Sequence, residues 1–292
     1  MMTISAKDVA ALRARTGAGI GDCKKALEEA GGDMEQAVDV LRKKGIAKAD
    51  KRAGRAAAEG QIITWVSDDA SLAALIELNS ETDFVARNEE FVALATLVVR
   101  HIAEDTSLDG IADITADHAL LAKHWHHDKA QTLGEVVKAA AAKTGENVTL
   151  RRVARYTSDG AIGFYRHFNG KIAVLVDVRG VTGDAGKALA ATIAEHAAAG
   201  VPVVPVGVNK EDVPADVLER ERKIYFEQAK ESGKPEAIAE KMVAGRIEKY
   251  YKEVTLLEQP WVRDPEKTIS QLVKAVPGAS VKRFVRFQMG EA

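Results

Sequence analysis

Cysteine is nearly absent: Cys23 is the single one in 292 residues. No intramolecular disulfide can form, and the chain suits a reducing compartment. Aromatic residues make up only 5% and there are seven prolines; with the abundant alanine, this composition leans towards helix. No apolar run approaches the roughly 20 residues that a membrane-spanning helix needs. The first residues also lack a basic segment leading into an apolar one, so no signal peptide is expected. An excess of charge is missing as well. With 41 basic and 43 acidic residues the formal net charge is -2, which gives the whole molecule no electrostatic drive towards nucleic acid. A cytoplasmic globular protein is expected, long enough for two or three domains.

Signatures of catalysis and of nucleotide binding are lacking too. The run Gly17-Ala18-Gly19-Ile20-Gly21-Asp22 puts an aspartate where a dinucleotide fingerprint needs its third glycine, and no strand precedes it. Gly183-Asp184-Ala185-Gly186-Lys187-Ala188 has neither the glycine spacing nor the hydroxyl residue of a phosphate-binding loop. Cys23 falls on the apolar stripe of a helix, where a small buried hydrophobe is expected. His124, His126 and His127, with His118 upstream, form the one group with metal-ligand character. On an expected helix His124 and His127 share a face at i, i+3. A histidine-rich polar face is the plainer account, and no metal or cofactor is assigned.

What is present has a clear order. Residues 1–45 punctuate themselves as three short helices. Ser5 with Asp8 reads as a capping box, Thr16-Gly17-Ala18-Gly19 and Gly31-Gly32 break the chain, and Asp33-Met34-Glu35-Gln36 starts again before Gly45 is expected to close the third helix. Residues 46–59 read as a basic linker. From Gly60 the pattern becomes strand, turn, strand: residues 61–66, then Leu72, Ala74, Ile76 and Leu78 in alternation. A helix follows, capped at Asn88 and carrying Phe91, Leu94, Ala95, Val98 and Ile102 on one face. The order recurs from Gly160, with Asn169-Gly170 as the hairpin signal and a helix over residues 187–199. Two related α+β subdomains with antiparallel sheets are expected, over residues 60–155 and 156–292, with a helical region near residues 112–143 between the strands. Residues 211–253 predict a projecting helical hairpin turning at Ser232-Gly233-Lys234-Pro235. The tail, with Val281, Arg283, Val285 and Phe287 in alternation, should return to a sheet.

Two stretches carry a family resemblance. Residues 12–45, LRARTGAGIGDCKKALEEAGGDMEQAVDVLRKKG, resemble the N-terminal module of elongation factor Ts, and residues 77–88, ELNSETDFVARN, contain that family's Thr-Asp-Phe-Val element at Thr82, Asp83, Phe84 and Val85. Tyr165-Arg166-His167 and residues 232–262 match in order, so the resemblance covers nearly the whole chain. It implies a ubiquitin-associated-like three-helix module, a two-subdomain core and an antiparallel helical arm. It also implies a non-enzymatic role in translation: binding elongation factor Tu, GDP-bound or nucleotide-free, and exchanging its nucleotide without binding nucleotide itself. By the same resemblance Phe84 inserts between partner helices near a magnesium site, Asp83 holds it by polar contacts, and Lys24 and His167 are further partner contacts. Ile20 and Gly21 depart from the apolar pair common in the family, which weakens any apolar contact at Gly21. A homodimer through the arm stays open. The competing reading is an RNA- or ribosome-associated adaptor, motivated by Arg42, Lys43, Lys44, Lys48, Lys51, Arg52 and Arg55.

Overall fold

The computed structural model describes residues 4–231 and 236–291. Three helices, α1 (Ala6–Thr16), α2 (Ile20–Glu29) and α3 (Met34–Asp50), enclose a small core of Leu12, Cys23, Ala26, Leu27 and Ala37. Ser5 and Asp8 make the capping box that starts α1, and Gly17 ends it in the left-handed conformation at φ 69°. Cys23 is buried.

Gly45 does not stop α3. The helix runs through it to Asp50 and so takes up the start of the expected linker. A Cβ at Gly45 would stand 3.1 Å from the Cβ of Ala142 on α6 (Leu133–Thr144). The glycine therefore serves close approach of two helices rather than termination.

The core consists of four layers. The first sheet has the order β1 (Glu59–Val66), β2 (Leu72–Ser80), β6 (Thr149–Thr157), β3 (Gly110–Asp113), all antiparallel. The second has the order β11 (Ser280–Gln288), β8 (Ile172–Arg179), β7 (Ala161–Arg166). One face of the first sheet packs on α5 (Glu89–Glu104) and α6, burying Ile76, Leu78, Phe91, Val98 and Ile102. Its other face meets the second sheet through Ile62, Leu75, Tyr156, Leu175 and Phe287. The far side of the second sheet is covered by α7 (Gly183–Ala199) and α10 (Ile269–Lys274). Hence β2 is buried on both faces almost throughout, although its alternation alone predicts one buried face.

The two halves repeat more fully than the strand signals suggest. Between α5 and α6 lies a small hairpin, β4 (His124–Trp125) with β5 (Asp128–Thr132), where a helical region was expected. Between the arm and α10 lies its counterpart, β9 (Pro260–Trp261) with β10 (Asp264–Thr268). Leu120, Trp125, Asp128, Thr132, Leu133 and Val137 recur at identical spacing as Leu256, Trp261, Asp264, Thr268, Ile269 and Val273. The closing strands correspond as well. Arg152 on β6 pairs Glu77, stacks on Phe287 at 4.3 Å, and has the counterpart Arg283 on β11, which pairs Asp177 and stacks on Tyr156 at 4.0 Å. Each arginine thus reaches the aromatic ring of the other half. The arm is α8 (Ala215–Glu231) with α9 (Glu236–Val254); its expected turn at Ser232-Gly233-Lys234-Pro235 lies outside the described residues.

Candidate functional site

The Thr-Asp-Phe-Val element sits where β2 gives way to a single helical turn, α4 (Asp83–Ala86). Thr82 caps it, its hydroxyl accepting from the Val85 amide at 3.4 Å. The same hydroxyl donates to Glu146 at 2.6 Å, and the Glu81 and Thr82 amides donate to the other Glu146 carboxylate oxygen at 3.1 and 3.0 Å. Ser80 donates to the Thr82 carbonyl at 3.0 Å, and Gln61 donates to the Ala86 carbonyl at 2.9 Å. Three residues, Glu146, Ser80 and Gln61, thus brace this turn.

Side-chain directions follow from that bracing. Val85 packs on the first core cluster and Ala86 is buried. Phe84 points outward and is 84% exposed. A phenylalanine serving as a core anchor would be hidden; here Val85 takes that role and the aromatic ring meets solvent. Asp83 makes an i, i+4 ion pair with Arg87 at 3.2 Å, which ties the residue beside Phe84 to the far end of the turn.

His167 directly follows β7, where the chain reverses. Its Nδ1 lies 3.0 Å from the Tyr165 hydroxyl, and its ring touches that of Phe168 at 4.5 Å between centroids. Phe168 is 90% exposed, and nothing singled it out in the sequence. The exposure of a turn aromatic is set by its neighbours, not by its own spacing. Arg166 anchors this hairpin to the first sheet, donating to the Ile62 carbonyl at 2.7 Å and to Gln61 at 2.8 Å. A crevice of about 460 Å³ results, with Asp83, Ala86 and Arg87 on one side and Arg166, Phe168 and Asn169 on the other. The structure therefore brings the Thr82–Val85 turn and the His167 turn to one surface, bridged by Gln61.

Lys24 is not part of that crevice. It is exposed on α2, 3.9 Å from Glu28, and lines an apolar hollow of the helical module with Val9, Ala10 and Ile20. The basic run is partly spoken for. Lys44 pairs Glu29, Lys48 pairs Asp22 at 2.9 Å, Arg55 pairs Glu81 at 3.4 Å, and Arg52 donates to the Ala141 carbonyl at 3.4 Å.

The histidines do not share a helix face. His124 lies on β4 and His127 in the turn beyond it, because Trp125 between them turns inward to the core. His126 instead touches buried His101, with ring centroids 4.4 Å apart, and pairs Glu104. Among the described residues, no group of three or more His, Cys, Asp or Glu side chains converges as metal ligands do. No helix among them is long and apolar enough to cross a membrane.

Comparison with known proteins agrees with this arrangement. Residues 81–291 match the family model described as "Elongation factor TS". The chain is 48% identical over 292 residues to elongation factor Ts of Thioalkalivibrio sulfidiphilus, covering 99% of this chain and 93% of that protein. It is 44% identical over 291 residues to that of Aquifex aeolicus, covering 99% of each. To that of Halothermothrix orenii it is 42% identical over 290 residues, covering 99% of this chain and 93% of that one. By the family model over most of its length, and by identities of 42–48% across nearly the whole chain, the chain belongs to the elongation factor Ts family.

Proposed function

We propose that this chain is a translation elongation factor that binds elongation factor Tu in its GDP-bound form and promotes release of the nucleotide. The observation that carries the reading is a phenylalanine, Phe84, 84% exposed on a turn held by Glu146, Ser80 and Gln61. Such a ring is a pre-organised anchor: it loses little freedom on docking and removes a large apolar surface from water. GDP is held through its phosphates and Mg²⁺. A wedge that shifts the partner element supporting the ion weakens that hold without touching the nucleotide. Asp83 positions the wedge, and His167 and Lys24 add contacts from the second subdomain and the helical module. No covalent step is needed, so the chain acts as an exchange factor rather than an enzyme, and it works where elongation takes place, in the cytoplasm.

The two ligands of the partner must oppose each other equally, since coupling between sites is reciprocal. Titration calorimetry with nucleotide-free and GDP-loaded elongation factor Tu tests this. Binding of this chain should be weaker to the GDP form, by the same factor that the chain weakens GDP. Equal affinity for both forms overturns the exchange reading.

A further inference from the structure

The sequence reads residues 46–59 as a linker, yet the stretch from Asp50 to Ala57 is tied to the core along its length. Lys138 pairs Asp50 at 2.8 Å, and Arg52 donates to the Ala141 carbonyl at 3.4 Å, both partners lying on α6. Asn147 Nδ2 donates to the Arg55 carbonyl at 2.7 Å and to the Ala53 carbonyl at 3.4 Å. Asn79 donates to the Ala57 carbonyl at 3.1 Å. What joins the helical module to β1 is therefore a strap laid on the core rather than a free tether.

Asn147 is the centre of the strap's attachment. It is 5% exposed, so its side-chain amide must find acceptors within the protein, and those it takes are strap carbonyls. The Arg55–Glu81 pair, at 3.4 Å with more than half of the arginine exposed, adds little. Small residues meet where α3 lies on the core, Gly45 against Ala142 and Ala49 within the first core cluster. They bury little apolar surface, which leaves the polar ties to fix where the module stands. The preceding residue holds the Phe84 turn: Glu146 accepts from the Glu81 and Thr82 amides and from the Thr82 hydroxyl. The Asn147 backbone amide adds a bond to Glu81 Oε1 at 2.6 Å. One dipeptide after α6 thus grips the turn with one side chain and the strap with the other.

We propose that Glu146-Asn147 is a positioning pair that holds the helical module and the Phe84 turn as one rigid body, so that both meet the partner at a fixed separation. What these two surfaces meet rests on the proposed function; the fixed separation does not. A module on a free tether would be ordered only on binding, and the ordering entropy would weaken the complex. A module already seated loses little freedom, and its contact acts on top of the Phe84 contact at high effective concentration. Asn147 is too buried to touch the partner and acts through the strap it holds.

Spin labels on Asp39→Cys in the module and Glu89→Cys at the start of α5, both exposed positions, report the separation by double electron–electron resonance. Cys23 is buried and stays unlabelled. The labelled chain should give one narrow distance distribution, and the same chain with Asn147→Ala a broad one. That substitution spares the backbone amide bonded to Glu81, so the Phe84 turn keeps its brace. In release of a fluorescent GDP analogue from elongation factor Tu, Asn147→Ala should raise the concentration for half-maximal acceleration by about tenfold and keep the maximal rate. Arg52→Ala with Arg55→Ala, which removes the strap's own side-chain ties, should act in the same direction and decides if Asn147→Ala fails to fold. A broad distribution without either change, a narrow one that survives both, or broadening with an unchanged half-maximal concentration overturns the proposal. A chain that accelerates no release overturns the exchange reading instead, and the distances alone then decide the fixed separation.

Discussion

Phe84 and Val85 are adjacent, both apolar, and opposite in role. A surface ring contributes little to folding, so Phe84→Ala should change unfolding free energy by less than about 0.5 kcal/mol in urea titration, whatever it does to partner binding. Glu146→Ala should behave in the reverse way. It removes three hydrogen bonds that hold residues 81 and 82, and the cost should be about 1–3 kcal/mol. The family resemblance pointed to Phe84 as the outward residue, but the residues alone did not decide between an exposed ring and a core anchor. That depends on Glu146 and Gln61, distant in sequence, which fix the turn's orientation. Phe168 was missed for the same reason. His101 gives a second residue-scale expectation. Burial first, and then neighbouring His126, push its pKa from 6.5 down to about 4. The folded form thus excludes a proton that the unfolded chain accepts. Its contribution is complete above pH 6.5 and is lost as pH falls from about 6.5 towards 4, by up to about 3 kcal/mol. Thermal unfolding across that range should show the loss, and His101→Leu should flatten it.

At the scale of elements, caps and hairpin turns were readable because their chemistry is local: Ser5 with Asp8, Asn88, and Asn169 with Gly170 all lie where expected. The β4–β5 hairpin was not. Alternating histidines and a following alanine-rich stretch resemble one long helix, and only Trp125 turning into the core decides otherwise. The signal that would have found it is the repeat with Trp261, Asp264 and Thr268, whose threonine caps a helix just as Thr132 does. Gly45 tests the packing reading of α3. Gly45→Val should force α3 off Ala142 and lower stability by about 1–3 kcal/mol. Gly245→Ala on α9, with nothing within 4 Å, should raise helix stability by about 0.5–1 kcal/mol. Both are read from chemical denaturation midpoints, and a Gly45→Val variant as stable as the parent would remove the close-approach explanation.

For the whole molecule, the controlling fact is that the two subdomains share a core. Ile62, Leu75 and Tyr156 of one pack on Leu175, Val285 and Phe287 of the other, and Arg152 and Arg283 cross between them. Calorimetry should therefore show both sheets unfolding in one transition. Glu77 is wholly buried beneath Arg151 and Arg152. Glu77→Ala should cost about 3–5 kcal/mol by leaving buried charge uncompensated, and should weaken both halves together. Two related halves were visible in the order of strands, turns and helices. Their face-to-face union was not, since β2 alternates like a strand with one wet face and its second buried face is supplied by chain a hundred residues away. That union places the Phe84 turn and the His167 turn on one surface.

The most direct measurement is stopped-flow release of a fluorescent GDP analogue from elongation factor Tu, in excess unlabelled GDP, with the parent chain, with Phe84→Ala and without either. Strong acceleration by the parent and a loss of about tenfold or more in Phe84→Ala are expected, as removal of an aromatic anchor buried on docking implies, with the variant's fold intact. Acceleration undiminished in a folded Phe84→Ala chain would contradict the wedge, and no acceleration by the parent would contradict the exchange function itself.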